Sequence, residues 1–358
     1  MSSTEPTSVT SNTPVSHPLA DCHYAYGKPR ATAILRQRPE DFQVDEQLGF
    51  EPDGEGDHVF LKLRKRGQNT QWLANEIAKL VGIKERDVGY GGMKDRHAVT
   101  TQWFSVCVAG LEEPDWSGLA FESEEESVEV LAVARHRRKL RRGTLTGNQF
   151  KITLRDLAGD HDELKVRLES VRDSGVPNYF GEQRFGSNNL ARAEGLFEKR
   201  FRANRNQRSL YLSAARSQLF NSVLSRRVFD KSWNTLVAGD VMQLAGSHSV
   251  FKVAEMDTDI EQRLLKMDIH PTGVMWGQGE LMTSLHAQAL ELEVTQQYPL
   301  FCMGLEEAGL KQQRRSLRLL PEMMTWEFSD DSLCVSFFLP AGSYATMVMR
   351  ELVDYRSP

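Results

Sequence analysis

Apolar and polar positions alternate with a period of two in several short runs of this chain, and with a helical period in others. Residues 33–36 and 42–46 read as strands separated by a turn at Arg38-Pro39-Glu40-Asp41. Residues 58–65, His-Val-Phe-Leu-Lys-Leu-Arg-Lys, predict a half-buried strand whose wet face is cationic. Trp72, Leu73, Ile77 and Leu80 recur at helical spacing, with Thr70 as the expected N-cap and Gly82 as the stop. Residues 87–90 end a short strand, and residues 98–108, rich in β-branched and aromatic side chains, form a longer one. Residues 127–134 predict another strand, and Gly147-Asn148 a turn just before the strand that runs to Leu154. Residues 161–173 predict a helix with Leu164, Val166 and Leu168 inward.

The glycine- and aromatic-rich stretch 176–186 changes the texture and reads as a domain junction. Helical patterns follow at 189–197 and at 209–228, the latter with Leu212, Leu219, Phe220 and Leu224 on its apolar side. Residues 239–256 are strand-like, 258–267 helical, 271–279 a loop, and 285–297 and 300–308 helical. Strand patterns return at 314–320, 323–328 and 333–339, then a turn at 340–344 and a helix at 344–353. Strands at both ends around a helix-rich block predict an α+β protein: a discontinuous domain, 25–173 plus 318–358, carrying an insertion, 174–317. Residues 1–24 are expected to be a disordered tail, because their start is rich in Ser, Thr and Pro.

Composition narrows the class. The 358 residues are 40% hydrophobic and 26% charged, ordinary for a globular protein of one or two domains. No apolar run approaches the roughly 18 residues of a membrane span, and the N-terminal stretch lacks the apolar core of a secretory signal. Cys22, Cys107, Cys302 and Cys334 are widely spaced, with no Cys-x-x-Cys pair to suggest zinc. A reducing cytoplasm is the expected location, with Cys107 and Cys334 as small core residues. Net charge is −5, yet six of the eight residues 135–142 are Lys or Arg. Further basic clusters lie at 62–66, at Arg200, Arg202, Arg205 and Arg208, and at 311–318 with its Arg314-Arg315 pair. Such uneven charge suits a protein that meets a polyanion on one face.

The chemistry concentrates at Gly89-Tyr90-Gly91-Gly92-Met93-Lys94-Asp95-Arg96-His97, between two predicted strands. Glycines there permit unusual backbone angles, so the turn is expected to offer Lys-Asp-Arg-His to a cleft. Cations beside a carboxylate favour its charged form, and such a group can act as nucleophile or base. A solvated ion pair on a surface turn would look the same. The glycine spacing satisfies neither nucleotide-binding motif, since Lys94 is not followed by Ser or Thr.

Residues 92–100, Gly-Met-Lys-Asp-Arg-His-Ala-Val-Thr, resemble the active-site motif of the TruD family of tRNA pseudouridine synthases. Five further blocks resemble family signatures in family order: Arg38-Pro39-Glu40-Asp41-Phe42, Gly147-Asn148-x-Phe150, the stretch 177–186, Leu212-Ser213-Ala214-Ala215-Arg216-Ser217, and the stretch 339–346. The resemblance implies the pseudouridine synthase fold, a bent, mostly antiparallel mixed sheet with helices, and an inserted family domain. It implies isomerisation of uridine to pseudouridine in tRNA, at position 13 of the D arm, on a flipped-out base and without cofactor or metal. It makes Asp95 the nucleophile, with Phe42, Asn148 and Tyr344 around the substrate and Phe150 nearby. Tyr344 stands where Phe is expected, so its hydroxyl needs a partner if buried. The basic clusters become candidate phosphate contacts, 135–142 first among them. Two rivals remain: an RNA-binding protein without catalysis, and an Asp-based hydrolase with Glu182 as second carboxylate.

Overall fold

Strands and helices interleave along the chain in the computed structural model, which describes residues 19–141, 143–253 and 257–358. The stretch 1–18, Arg142 and residues 254–256, on which parts of the tail, basic-run and strand expectations fall, lie outside the described residues. The chain begins with β1 (Thr32–Leu35), β2 (Phe42–Leu48), β3 (His58–Arg66), α1 (Thr70–Val81), β4 (Gly89–Tyr90) and β5 (Val99–Cys107). It continues with β6 (Phe121–Glu122), β7 (Ser127–His136), β8 (Leu145–Ala158), α2 (His161–Ser174), β9 (Val176–Pro177), α3 (Asn189–Phe197) and α4 (Arg205–Phe229). Next come β10 (Val241–Leu244), β11 (Val250–Lys252), α5 (Thr258–Leu265), β12 (Ile269–Met275), α6 (Leu285–Thr295) and α7 (Pro299–Glu307). The last elements are β13 (Gln313–Ser316), β14 (Arg318–Leu319), β15 (Glu322–Phe328), β16 (Leu333–Pro340), α8 (Ala345–Leu352) and β17 (Asp354–Arg356).

The large sheet runs β15-β16-β8-β2-β5-β3-β7-β6, with β1, β4 and β17 beside it. Only β2–β5 and β1–β17 are parallel among its described pairs. Register decides which side chains meet. Phe42 lies opposite Ile152 and Ile152 opposite Val335; Val44, Phe150 and Phe337 form the next row; Glu46, Asn148 and Leu339 the next. Directly opposed residues share a face. Phe42, Phe150 and Phe337 therefore enter one core, closed by Leu164 and Leu168 of α2 and Val348 and Leu352 of α8. A second core joins β3 and β5 to Leu73 and Ile77 of α1. A smaller sheet, β11-β10-β12-β13, belongs to the stretch 241–316, and β9 pairs with β14 where the chain enters and leaves the block between them.

Several local expectations are corrected. Asn69, not Thr70, caps α1, accepting from the Trp72 amide at 2.7 Å. Gly147-Asn148 is not a turn but lies inside β8, where a side chain at 147 would meet the Leu339 carbonyl at 2.1 Å. Residues 269–275 form a strand instead of a loop. They are nearly all buried and so lack alternation, and Pro271 sits where the strand changes partner from β10 to β13. Val166 is exposed, while Val171 takes the inward place on α2. Cys107 is exposed at the end of β5, and Cys334 is half-buried. Lys65 lies fully buried on the apolar side of β3.

Residues 19–24 are not a tail. Leu19 and Cys22 are buried with Phe220 of α4 and Met347 of α8. The Arg350 guanidinium lies 3.6 Å from the Tyr24 ring centroid and donates to the Cys22 carbonyl. Glu351 accepts from the Ala25 amide at 3.0 Å. Burial pushes the Glu351 carboxyl from 4.5 up to about 7, against the pull of Arg350. A raised carboxyl binds its proton more tightly in the folded state, so this group's contribution falls as pH rises from 4.5 to about 7. In Glu351→Gln, the loss of stability across that window should shrink by a few kcal/mol in denaturant titrations; an unaltered pH profile would contradict this.

Candidate active site

Asp95 sits on the turn between β4 and β5, and long-range contacts define its surroundings. Its Oδ2 accepts from Arg36 Nη1 at 2.8 Å, and its Oδ1 from the His97 amide at 3.1 Å. Side-chain exposure is 31% for Asp95 and 19% for Arg36, so the pair is half-buried and still reachable from solvent. Arg36 follows β1 and holds a left-handed φ of 63°, a conformation that costs a non-glycine residue about 1–2 kcal/mol. Its guanidinium lies 4.0 Å from the Phe42 ring centroid, a cation–π contact, and its buried Nε has no partner among the described residues. Phe42 in turn meets Phe150 edge-on at 6.1 Å, and Phe150 stacks on Phe337 at 5.6 Å. A chain of aromatic rings thus supports the cation that faces Asp95.

The flanking cations point elsewhere. Lys94 Nζ lies 2.6 Å from Glu46 Oε2, with exposures of 11% and 0%. Glu46 also accepts from the Trp103 amide at 3.1 Å. Burial pushes its carboxyl up, and the Lys94 ammonium opposes that. Arg96 bonds the Gly67 carbonyl and Glu126. The expectation that Lys94 and Arg96 serve Asp95 is therefore replaced by Arg36, 59 positions away in sequence.

The backbone of the turn is pinned from below. Lys65 Nζ donates to the Asp95 carbonyl at 2.9 Å and to the Gln68 carbonyl at 2.6 Å. Burial lowers this ammonium from 10.5 to about 8, although the Asp95 carboxylate favours its charge. The Lys94 amide donates to Thr70 Oγ1 at 2.9 Å, Thr70 to Gln102 at 3.0 Å, and Gln102 to the Gly92 carbonyl. None of Gly89, Gly91 and Gly92 has positive φ. At Gly89 the need is room: a Cβ would sit 2.6 Å from the Leu140 carbonyl oxygen.

Asn148 occupies the register row of Glu46, and its buried Oδ1 has no partner among the described residues. Tyr344 joins a different wall. Its hydroxyl accepts from Arg184 Nε at 2.9 Å, and its ring meets Phe180 edge-on at 6.1 Å. The hydroxyl that distinguishes it from Phe is thus satisfied. The half-buried Tyr355 phenol is pushed up to about 12, mainly by desolvation, with the Glu182 carboxylate adding to the rise and Arg36 opposing it. Sequence reading missed Arg36, Glu46 and Lys65. A lysine breaking the apolar phase of β3 was the one local signal.

Most basic clusters are neutralised. Lys62 pairs with Asp45, Arg64 with Glu129 and Arg66 with Glu40. Arg135 pairs with Glu113 and Arg137 with Glu55. Arg314 is buried on Glu291, and Arg315 bonds Asn178 at 2.7 Å and lies over Phe180. Arg138, Lys139 and Arg141 form no ion pair among the described residues and line a cavity of about 910 Å³ with Phe50 and His136. No group of three or more His, Cys, Asp or Glu among the described residues is arranged to hold a metal. No described helix is long and apolar enough to cross a membrane.

Fold and site together define a class: an enzyme with a mixed, mostly antiparallel sheet that offers an Arg-paired aspartate beside buried aromatic rings. The family model described as tRNA pseudouridine synthase D (TruD) matches residues 19–196 and 188–352. A Methylococcus capsulatus protein named tRNA pseudouridine synthase D is 50% identical over 339 residues, covering 94% of this chain and 95% of that one. Proteins of the same name from Hydrogenovibrio crunogenus and Nitrosococcus oceani are 44% and 48% identical, over 95% and 92% of this chain and 99% and 93% of theirs. A solved Methanosarcina mazei structure described as a tRNA pseudouridine synthase D superposes with a TM-score of 0.71 at 22% identity, covering 92% of this chain and 95% of that one. That likeness speaks for the fold. The chain belongs to the TruD family of tRNA pseudouridine synthases, which are isomerases.

Proposed function

We propose that this chain converts uridine to pseudouridine in tRNA, at position 13 of the D arm, with Asp95 as nucleophile on an everted base. One observation carries the assignment of Asp95: a half-exposed carboxylate, held by one guanidinium at 2.8 Å and by its own turn, in the family's motif. A uracil within folded RNA must leave its stack to reach such a group. Asp95 then attacks C6 of the base or C1′ of the sugar, the N1–C1′ bond breaks, and the detached base turns and bonds C1′ through C5; Asp95 leaves, C5 gives up its proton and N1 takes one up. Nothing is oxidised or transferred to an outside acceptor, so the reaction as proposed needs no cofactor or metal. Arg36, bonded to Oδ2 at 2.8 Å, holds the carboxylate in position. Phe42 and Phe150 act mainly by backing Arg36, since the Arg36 guanidinium lies over the Phe42 ring. Asn148, with an unpartnered amide oxygen, would accept from the base edge. Tyr344, held by Arg184, would contact the everted base.

The direct test is to incubate the protein with an unmodified tRNA transcript and map pseudouridine. Product at position 13 supports the reading; release of free uracil would favour the hydrolase, and binding without product the non-catalytic alternative. Arg36→Met should lower the single-turnover rate about 100-fold while transcript affinity stays within about threefold. A rate within a few-fold of the parent would remove Arg36 from the mechanism.

A further inference from the structure

The motif Leu212-Ser213-Ala214-Ala215-Arg216-Ser217 takes no part in the chemistry at Asp95. In the fold it forms one wall of a cavity of about 450 Å³. Another wall comes from Phe180 and Arg184, in the motif block at 177–186. Helical spacing lines up Arg205, Arg208, Leu212 and Arg216 along the cavity side of α4.

Four guanidinium groups and no carboxylate line this cavity. Two are committed. Arg216 donates to the Met275 carbonyl at 2.9 Å and to the Lys311 carbonyl and Gln313. Arg184 donates to Tyr344 Oη and to Ser213 Oγ, both at 2.9 Å. Arg205 and Arg208 are exposed and form no ion pair among the described residues. That sets them apart from Lys62, Arg64, Arg66 and Arg314, each of which has a carboxylate partner within the fold. Behind them Leu212, Met275 and Leu310 make an apolar floor.

Unmatched cations above an apolar floor suit a ligand with a phosphate at one end and a flat ring at the other. The volume falls within the roughly 300–1,000 Å³ range of small-molecule sites and is enough for one nucleotide. Arg184 joins this cavity to Tyr344, so, with Tyr344 in the site as proposed above, the ligand would lie beside the reacting base. We propose that the cavity holds one nucleotide of the substrate RNA near the target uridine, its phosphate on Arg205 and Arg208 and its base on the Leu212 floor. This rests on the tRNA reading above.

The test compares the full chain with Arg205→Glu/Arg208→Glu for binding of an unmodified tRNA transcript across about 50–200 mM salt. Charge reversal should weaken binding at least about tenfold and flatten the slope of log affinity against log salt by about 1–2. KM should rise more than kcat falls. Abasic substitutions around the target should reveal one position whose loss weakens the parent about fivefold and the variant not at all. Affinity within about twofold and an unchanged slope would overturn the proposal. So would weakened binding with no such abasic position, which describes a plain phosphate contact. Displacement of the transcript by millimolar uridine or adenosine 5′-monophosphate would assign the cavity to a free nucleotide instead. If the parent makes no pseudouridine but the variant still shows these binding losses, the cavity assignment stands and the functional reading fails.

Discussion

Asp95→Asn should abolish pseudouridine formation, by at least about four orders of magnitude, while transcript affinity changes little. The substitution keeps the shape of the side chain and removes its nucleophilic charge. Its amide can still accept from the His97 amide, so the turn keeps its form. Arg36 then faces a neutral group, but it remains held over the Phe42 ring. A loss confined to the chemical step separates a catalytic aspartate from a surface ion pair, whose removal typically costs 0–1 kcal/mol of stability and no activity. Single-turnover assays at saturating protein read the rate directly. Retained product formation in Asp95→Asn would return the protein to the non-catalytic class.

Lys94→Met should have the second large effect, on stability. It strands Glu46, a fully buried carboxylate whose Oε2 lies 2.6 Å from the lysine. Removing one partner of a buried pair costs about 3–5 kcal/mol, because the remaining charge is left unmatched. The pH dependence follows from the direction of the Glu46 shift. Burial raises this carboxyl, and loss of the opposing ammonium raises it further. The folded state then keeps a proton that the unfolded chain has released, so stability falls as pH climbs above the ordinary carboxyl range. Lys94→Met should be mildest near pH 5 and worst above pH 7, and Lys94→Met/Glu46→Gln should recover most of the loss. Denaturant midpoints at the two pH values decide it; equal losses at both would show that Glu46 carries no buried charge.

Much of the architecture was legible because it is written in local periods. The alternation at 42–46 and 333–339 and the helical spacing at 209–228 survive as β2, β16 and α4. The failures share a cause. Residues 269–275 are buried on both faces, so no alternation marks them. Gly147-Asn148 has turn composition, but Gly147 is there to let the Leu339 backbone approach. Arg314 and Arg315 look like a phosphate patch until Glu291 and Asn178 are seen to take their charge and hydrogen bonds.

By itself the sequence determined that a glycine-rich turn between two strands carries Asp95, and that six motif blocks place the chain in one family. Only the tertiary structure decided which cation serves that carboxylate, which lysine holds the turn, and which arginines are left for a partner. The reason is range. Period and turn chemistry act between near neighbours along the chain, whereas a charge is matched through space, and Arg36 reaches Asp95 across 59 positions that the fold brings within 2.8 Å.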